Sequence, residues 1–245
     1  MGGISTDLRT GLAFCTRLPI GAPPNANLSE AAWTFPLAGI LIGAVAALVY
    51  WLTASLGSFV AATLAVGSTA LLTGCLHEDG LADTADGFGG GATKTRKLEI
   101  MRDSSSGAYG VSALILSFML RVGAVASLAS PGTTAAALIA AHAGARAAMP
   151  LFMAAVPQAR QDGLSVDAGT PQSGPIAIAA MLGLLVLLLC LGVSAGLLAA
   201  LLVTLVLVGL ARLARQQIGG RTGDVIGAVE QVSEIVILLT AAALL

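Results

Sequence analysis

The chain has 245 residues, of which only 10% are charged and 56% are hydrophobic, and its mean hydropathy is +0.91. An average soluble domain carries about 25% charged residues. The net charge of −1 leaves no basic surface for binding a nucleic acid. This composition excludes a disordered chain and an ordinary soluble protein, and it predicts an all-α, polytopic helical bundle in a membrane.

Seven apolar stretches are long enough to be membrane-spanning helices, since a bilayer core needs about 20 helical residues. Pro175–Ala211 carries no charge and is too long for one crossing, so we expect a turn at Gly192–Gly196. The predicted spans are Pro36–Thr53, Phe59–Leu76, Gly110–Ser127, Thr134–Met153, Pro175–Val193, Ala195–Ala211 and Val225–Leu245.

The basic residues predict the orientation of these spans. With the N-terminus inside, ten of the twelve Lys and Arg residues lie in cytoplasmic segments, and the outer turns near Gly57, Pro131 and Ser194 have none. The positive-inside rule therefore predicts a cytoplasmic N-terminus. We expect residues 1–245 to form one domain in the plasma (inner) membrane, with a cytoplasmic acidic segment at residues 77–107.

The acidic segment begins with the sequence HEDGLADTADG at His77. Its residues Asp79, Asp83 and Asp86 are four and three positions apart, which places them on one face of a helix. Carboxylates stacked in this way repel each other unless a cation lies between them, and Mg²⁺ or Mn²⁺ prefers such oxygen ligands. The alternative interpretation is a solvated polar loop.

A second group of acids leads into the last apolar stretch. Asp224 follows a Gly-rich turn, and Glu230 and Glu234 lie about 9 and 15 Å further along a helix of 1.5 Å per residue. A carboxylate at mid-bilayer costs at least about 2.5 kcal/mol, which indicates a functional or paired group. If the helix starts outside the bilayer, both glutamates are instead solvated.

Two arginines fall inside predicted spans. We expect Arg121 to extend its side chain to the membrane surface. Arg146 lies one helical turn after His142, and it is expected either to pair with Glu230 or Glu234 or to bind a phosphate.

Carboxylate clusters, Gly-rich turns and arginines at the cytoplasmic ends of spans are typical of metal-assisted phosphoryl transfer. The sequence has neither a P-loop nor an HExxH motif. The residues alone therefore predict a Mg²⁺-dependent membrane transferase that acts on a diphosphate.

The same segments resemble one family of membrane enzymes. Residues 76–87 (LHEDGLADTADG) and 98–104 (LEIMRDS) closely resemble the signature of the adenosylcobinamide-GDP ribazoletransferases, or cobalamin synthases. Residues 219–228 (GGRTGDVIGA), 14–19 (FCTRLP) and 34–37 (TFPL) are similar to the same family. The chain departs from the family at Glu78, where a hydrophobic residue is common, and at Ser105, where a basic residue is common.

The resemblance implies a reaction in the last steps of cobalamin biosynthesis. Adenosylcobinamide-GDP and α-ribazole, or its 5′-phosphate, would give adenosylcobalamin, or its 5′-phosphate, and GMP. The ribazole 3′-hydroxyl would attack the phosphorus attached to cobinamide. We expect Mg²⁺ as cofactor, small-molecule substrates and membrane lipid as partners, no nucleic acid, and assembly as a homo-oligomer or with other enzymes of the pathway.

We expect the active site to lie on the cytoplasmic side of the membrane, and we expect its residues to have three kinds of role. The expected metal ligands are Asp79, Asp83, Asp86, Asp103 and Asp224. The expected catalytic residues are Asp83, Asp86, Glu230 and Glu234. The expected substrate-binding residues are His77, Arg102, Ser104, Arg146 and Arg221.

Two other functions remain open from the sequence. A CDP-alcohol phosphotransferase would have Asp-Gly-x-x-Ala-Arg, a pattern that Asp83 interrupts after Asp79-Gly80-Leu81-Ala82. A cation transporter could use Glu230 and Glu234 as its pathway, but it should show paired half-helices or repeats.

Overall fold

The computed structural model describes residues 3–24, 26–128 and 130–245, and within these ranges the regular structure is helical apart from one bridge between Gln158 and Arg221. This agrees with the predicted all-α class. The helices are α1 (Ile4–Cys15), α2 (Leu28–Ala31), α3 (Phe35–Thr53), α4 (Ser58–Thr73), α5 (Leu76–Gly90), α6 (Lys94–Ile100), α7 (Ala108–Ser127), α8 (Pro131–Ala155), α9 (Leu164–Asp167), α10 (Ser173–Ile218) and α11 (Gly223–Leu244).

Five helical segments in the described ranges are long and apolar enough to cross a membrane, and α4 with α5 makes a sixth if this bent pair is one span. The five are Leu28–Leu56, α7, α8, α10 and α11. Large apolar side chains such as Trp51, Leu71, Met119 and Leu189 are exposed on the outer faces, as lipid contact requires. The chain is thus a polytopic helical bundle, whereas seven spans and the cytoplasmic N-terminus stay predictions.

Helix α10 is broken at Gly192, where the sequence predicts a turn. Gly192 has φ 78° and ψ 169°, which are not helical angles. A Cβ on Gly196 would lie 2.8 Å from the carbonyl oxygen of Leu187, although nine residues of straight helix span about 13.5 Å. The chain therefore reverses direction at Gly192, and the two halves of α10 pack against each other.

Helix α8 lies at the centre of the bundle, between α3, α10 and α11. Its contact with α3 is close because Gly39 and Gly43 face it, and a Cβ on Gly43 would lie 2.6 Å from the Cα of Ile139. Small residues four positions apart allow two helix backbones to approach in this way. This packing buries His142 and Arg146 of α8 inside the bundle.

Helix α5 runs antiparallel to both α7 and α11. Its first turn lies beside the middle of α7 and its later turns lie beside the N-terminus of α7, as the pairs Glu78–Arg121 and Asp86–Gly107 show. Its first two turns lie against the start of α11, where a Cβ on Gly80 would be 2.7 Å from the carbonyl oxygen of Asp224. The chain enters α5 through a bend of 90° after α4, made by Gly74 and Cys75 in the left-handed conformation. One end of the bundle therefore gathers the start of α11, the start of α7 and the acidic face of α5.

Candidate functional site

A cavity of about 110 Å³ lies between α5 and the start of α11. Pockets that hold a whole small molecule usually measure about 300–1,000 Å³, so this one suits part of a ligand, such as a phosphate group. Its polar lining comes from α5, from α11 and from the loop after α8, and comprises His77, Asp79, Arg160, Ser165 and Asp224. Phe14, Phe35, Met149 and Met153 are among the apolar residues that close it.

The acids of α5 meet Asp224 at this cavity because α5 and α11 cross at two glycines. A Cβ on Gly80 would lie 2.7 Å from the carbonyl oxygen of Asp224 and 3.2 Å from the Cα of Gly227. Asp79 and Asp224 line the cavity, and Asp83, one turn after Asp79, interacts electrostatically with both of them. The structure thus brings together three of the five predicted metal ligands.

The other two predicted metal ligands lie apart from this cavity. Asp86 is buried and accepts the backbone N–H groups of Gly107 at 2.7 Å and Gly110 at 2.9 Å, so it caps the start of α7. Asp103 is exposed and lines a separate surface depression with Asp86. Hydrogen bonds from the hydroxyl and backbone N–H of Ser105 lower the pKa of Asp103.

Ser104 and Arg102, two predicted substrate-binding residues, are both exposed on the segment before α7. The guanidinium of Arg102 pairs with the carboxylate of Asp162, in the loop after α8. Neither residue lines the cavity.

Below the cavity, a network of buried charges joins α5, α7, α8 and α11. Arg146 Nη1 lies 2.6 Å from Glu230 Oε1, and Arg121 Nη1 lies 3.1 Å from Glu78 Oε1 and 3.3 Å from Glu234 Oε1. All five of these side chains are at least 94% buried. The glutamates are therefore not solvated, and the predicted pairing of Arg146 with Glu230 is confirmed.

Two histidines complete this charge network. His142 Nδ1 lies 3.1 Å from Glu234 Oε2, and His77 Nδ1 lies 3.4 Å from Glu230 Oε2. His77 also reaches the cavity wall, so it connects the network to the cavity. Glu230 and Glu234, which the sequence predicts to be catalytic, lie deeper in the bundle than the cavity and do not line it.

The prediction for Arg121 is wrong. Its side chain is fully buried and faces the glutamates, rather than extending to the membrane surface. The reason is that the paired carboxylates of Glu78 and Glu234 provide a partner inside the bundle, which a lone intramembrane arginine lacks.

The closest group of potential metal ligands is part of this network. Among the described residues, His142, Glu230 and Glu234 form the only set of three His, Cys, Asp or Glu ligand atoms that all lie within 4.8 Å of one another. Both glutamates already face a guanidinium. A divalent cation there would meet two positive charges. Near Asp79, Asp83 and Asp224 the main guanidinium is that of Arg160, and Arg102 has a smaller electrostatic effect on Asp224.

Arg221, another predicted substrate-binding residue, is buried and fixes the loop after α8. Its guanidinium donates to the carbonyl oxygens of Met153, Val156 and Gly169 and to the hydroxyls of Ser165 and Thr170. Its backbone N–H donates to the carbonyl of Pro157, and its carbonyl accepts from Ala159. These contacts hold the loop against the start of α11, beside the cavity.

Sequence reasoning missed two residues of this site. Arg160 lines the cavity, with its Nη2 3.7 Å from Asp224 Oδ2, but in the sequence it counts only as a cytoplasmic charge. Glu78 is adjacent to the acidic face of α5, yet its partner Arg121 is 43 positions away and no spacing rule links them.

The chain matches the family model described as cobalamin-5-phosphate synthase over residues 7–242. A Bradyrhizobium diazoefficiens protein named adenosylcobinamide-GDP ribazoletransferase is 54% identical, over 98% of this chain and 94% of that protein. Proteins of the same name from Mesorhizobium japonicum and Azorhizobium caulinodans are 44% and 46% identical, over 97% and 96% of this chain and 93% and 95% of theirs. No solved structure matches the chain. The chain therefore belongs to the cobalamin-5-phosphate synthase family.

Proposed function

We propose that the chain joins adenosylcobinamide-GDP to α-ribazole, or to its 5′-phosphate, and releases GMP. The family match and the names of the relatives support this reaction. The observation that carries the proposal is the convergence of Asp79, Asp224 and Arg160 at one cavity, with Asp83 interacting electrostatically with all three. Carboxylates that hold a divalent cation and an arginine that faces a diphosphate are the usual parts of a phosphoryl-transfer site.

The donor set at this cavity fits Mg²⁺. Asp79, Asp83 and Asp224 carry three carboxylates, and the guanidiniums that act on Asp224 are those of Arg160 and, more weakly, Arg102, which leaves an excess of negative charge. Their oxygen atoms do not form a closed set within 4.8 Å, and Mg²⁺ usually keeps several waters and binds through one or two carboxylates together with substrate phosphates. When bound at Asp79 and Asp224, which both line the cavity, Mg²⁺ would neutralise the diphosphate and make its phosphorus more electrophilic.

The protein's own residues then orient the reactants and accept the proton. The 3′-hydroxyl oxygen of the ribazole forms a bond to the phosphorus attached to cobinamide. The bond from that phosphorus to the bridging oxygen breaks, and its electron pair leaves with GMP. Asp83 accepts the hydroxyl proton, because its carboxylate lies one helical turn after Asp79, interacts with Asp79 and Asp224, and is not needed to hold the cation.

The charge network below the cavity has a supporting role in this proposal. Glu230 Oε2 lies 3.4 Å from Nδ1 of His77, and His77 forms part of the cavity wall. Glu234 and Arg146 fix α8 and α11 relative to each other. These residues therefore keep the cavity in shape without contacting the substrates, apart from His77.

The enzyme is further proposed to act at the cytoplasmic side of the inner membrane. The starts of α5 and α11, which line the cavity, lie at the ends that the positive-inside rule assigns to the cytoplasm. Assembly as a homo-oligomer or with other enzymes of the pathway stays a prediction.

The test is the reaction of the purified protein in liposomes with adenosylcobinamide-GDP, α-ribazole 5′-phosphate and Mg²⁺. Chromatography should show equal amounts of GMP and the joined cobamide, and neither product with Asp83→Asn. GMP without cobamide would indicate a hydrolase and would contradict the proposal. CMP release from CDP-diacylglycerol, or Mg²⁺ flux without any nucleotide, would favour the two rival functions instead.

A further inference from the structure

Arg160, in the loop after α8, has a guanidinium that lacks close hydrogen-bond partners. Arg160 Nη2 lies 3.7 Å from Asp224 Oδ2, and its Nε lies 3.8 Å from Asp162 Oδ1. Both distances exceed a hydrogen bond, which is 2.7–3.2 Å between nitrogen and oxygen. Its Nη1 is buried and has no hydrogen-bond partner among the described residues. A buried N–H without a partner is costly, so this side chain is arranged for a ligand that supplies acceptors.

The backbone beside Arg160 is fixed relative to the acids of the cavity. Ala159 N–H donates to the carbonyl of Arg221 at 2.9 Å, and Arg221 N–H donates to the carbonyl of Pro157 at 2.7 Å. Arg221 lies three residues before Asp224, so this bridge sets the spacing between Arg160 and Asp224. Gly163, with φ 92°, turns the chain back and leaves room for the guanidinium.

Asp162, the other carboxylate near Arg160, already forms an ion pair with a different arginine. Asp162 pairs with Arg102 and is largely exposed, so it does not compensate Arg160 fully. Among the residues that line the cavity, Arg160 carries the guanidinium, whereas Asp79 and Asp224 carry carboxylates. The cavity therefore holds a carboxylate that can bind a cation and, 3.7 Å from it, a guanidinium that can bind an anion.

We propose that Arg160 is the phosphate-binding side chain of this cavity: it neutralises Asp224 before the substrates bind, and it moves to the diphosphate when a divalent cation takes its place at Asp224. This rests on the proposed function. When the bridging bond breaks, the leaving phosphate gains one negative charge. A guanidinium can donate two parallel hydrogen bonds to such a phosphate. Arg160 thus binds the diphosphate and stabilises GMP as it leaves.

This proposal predicts opposite changes in two affinities when the guanidinium is removed. Arg160→Ala should bind Mn²⁺ about threefold more tightly or better without nucleotide, because a positive charge near Asp224 is gone. The same variant should bind GDP about tenfold more weakly or worse at saturating Mg²⁺, because a charge-assisted hydrogen bond is lost. Arg160→Lys should keep the Mn²⁺ affinity near that of the unchanged protein and bind GDP with intermediate affinity, since lysine lacks the planar fork.

The experiment uses the full chain in detergent, with electron paramagnetic resonance of free Mn²⁺ and equilibrium dialysis of labelled GDP. Arg96→Ala, which removes an exposed arginine on α6, is the control and should change neither affinity. If Arg160→Ala weakens both affinities, or leaves GDP binding unchanged, Arg160 only holds the loop and the proposal is wrong. Failure of the proposed function would instead show as no joined product from the unchanged protein.

Discussion

Nη1 of Arg146 lies 2.6 Å from Oε1 of Glu230, and both side chains are sealed inside the bundle. Removing one partner of such a buried pair typically costs about 3–5 kcal/mol, because the other charge is left uncompensated. We therefore expect Arg146→Met to lower the thermal unfolding midpoint in detergent strongly. Adding Glu230→Gln to it should restore part of the lost stability.

A double-mutant cycle measures this coupling. Glu99→Gln, which removes an exposed carboxylate on α6, should leave the midpoint nearly unchanged. If the effects of Arg146→Met and Glu230→Gln simply add, the two residues do not stabilise each other, and their burial needs another explanation.

The close crossing of α5 and α11 predicts that Gly80→Ala lowers activity. The new Cβ would lie 2.7 Å from the carbonyl oxygen of Asp224, so the helices must separate and move Asp79 away from Asp224. A displacement of this kind can cost about 100-fold in rate, measured as GMP released per enzyme. Gly67→Ala in α4 is the matched control, because nothing lies within 4 Å of its Cβ and alanine favours a helix. Equal activity of both variants would show that the crossing does not position the acids.

Chelation of divalent cations should abolish product formation, and Mg²⁺ or Mn²⁺ should restore it. Asp79→Asn and Asp224→Asn should each raise the Mg²⁺ concentration for half-maximal activity by roughly tenfold or more, because each removes a charged ligand. Asp103→Asn should change it less, since Asp103 lies outside the cavity. A larger effect of Asp103→Asn would instead indicate that the metal binds in the surface depression lined by Asp86 and Asp103.

Arg221→Gln should destabilise the loop after α8, because its guanidinium holds three carbonyls and two hydroxyls there. Buried hydrogen bonds to a charged group contribute about 1.5–3 kcal/mol each, so the unfolding midpoint should fall clearly. The Mg²⁺ concentration for half-maximal activity of the remaining folded enzyme should stay near that of the unchanged protein. A changed KM for adenosylcobinamide-GDP at unchanged stability would instead indicate that Arg221 contacts the substrate.

The fold class and the turn at Gly192 are predictable because each depends on local signals. Apolar length predicts a membrane helix, and Gly192 and Gly196 in the uncharged run Pro175–Ala211 predict the reversal that the structure confirms. The acidic face of α5 is also predictable, since a helix repeats every 3.6 residues.

The partners of the buried charges are harder to predict. Glu78 and Arg121 are 43 residues apart, and Arg160 meets Asp224 through a loop whose path depends on Arg221. Their contacts depend on how α5, α7 and α11 cross, which follows from glycines whose role appears only in the packed structure. The same packing buries Glu230 and Glu234 deeper in the bundle than the cavity. The sequence places both acids in a predicted span, but it does not show that they lie away from the cavity.

In the proposed mechanism the divalent cation binds at the cavity between α5 and α11, and not in the charge network below it. The most direct measurement is Mn²⁺ binding, by electron paramagnetic resonance, to the purified protein and to Asp224→Asn and His142→Gln, with unfolding midpoints measured in parallel. Mn²⁺ affinity should fall in Asp224→Asn and persist in folded His142→Gln. Loss of Mn²⁺ binding in His142→Gln, with binding retained in Asp224→Asn, would place the metal among His142, Glu230 and Glu234 and contradict the account.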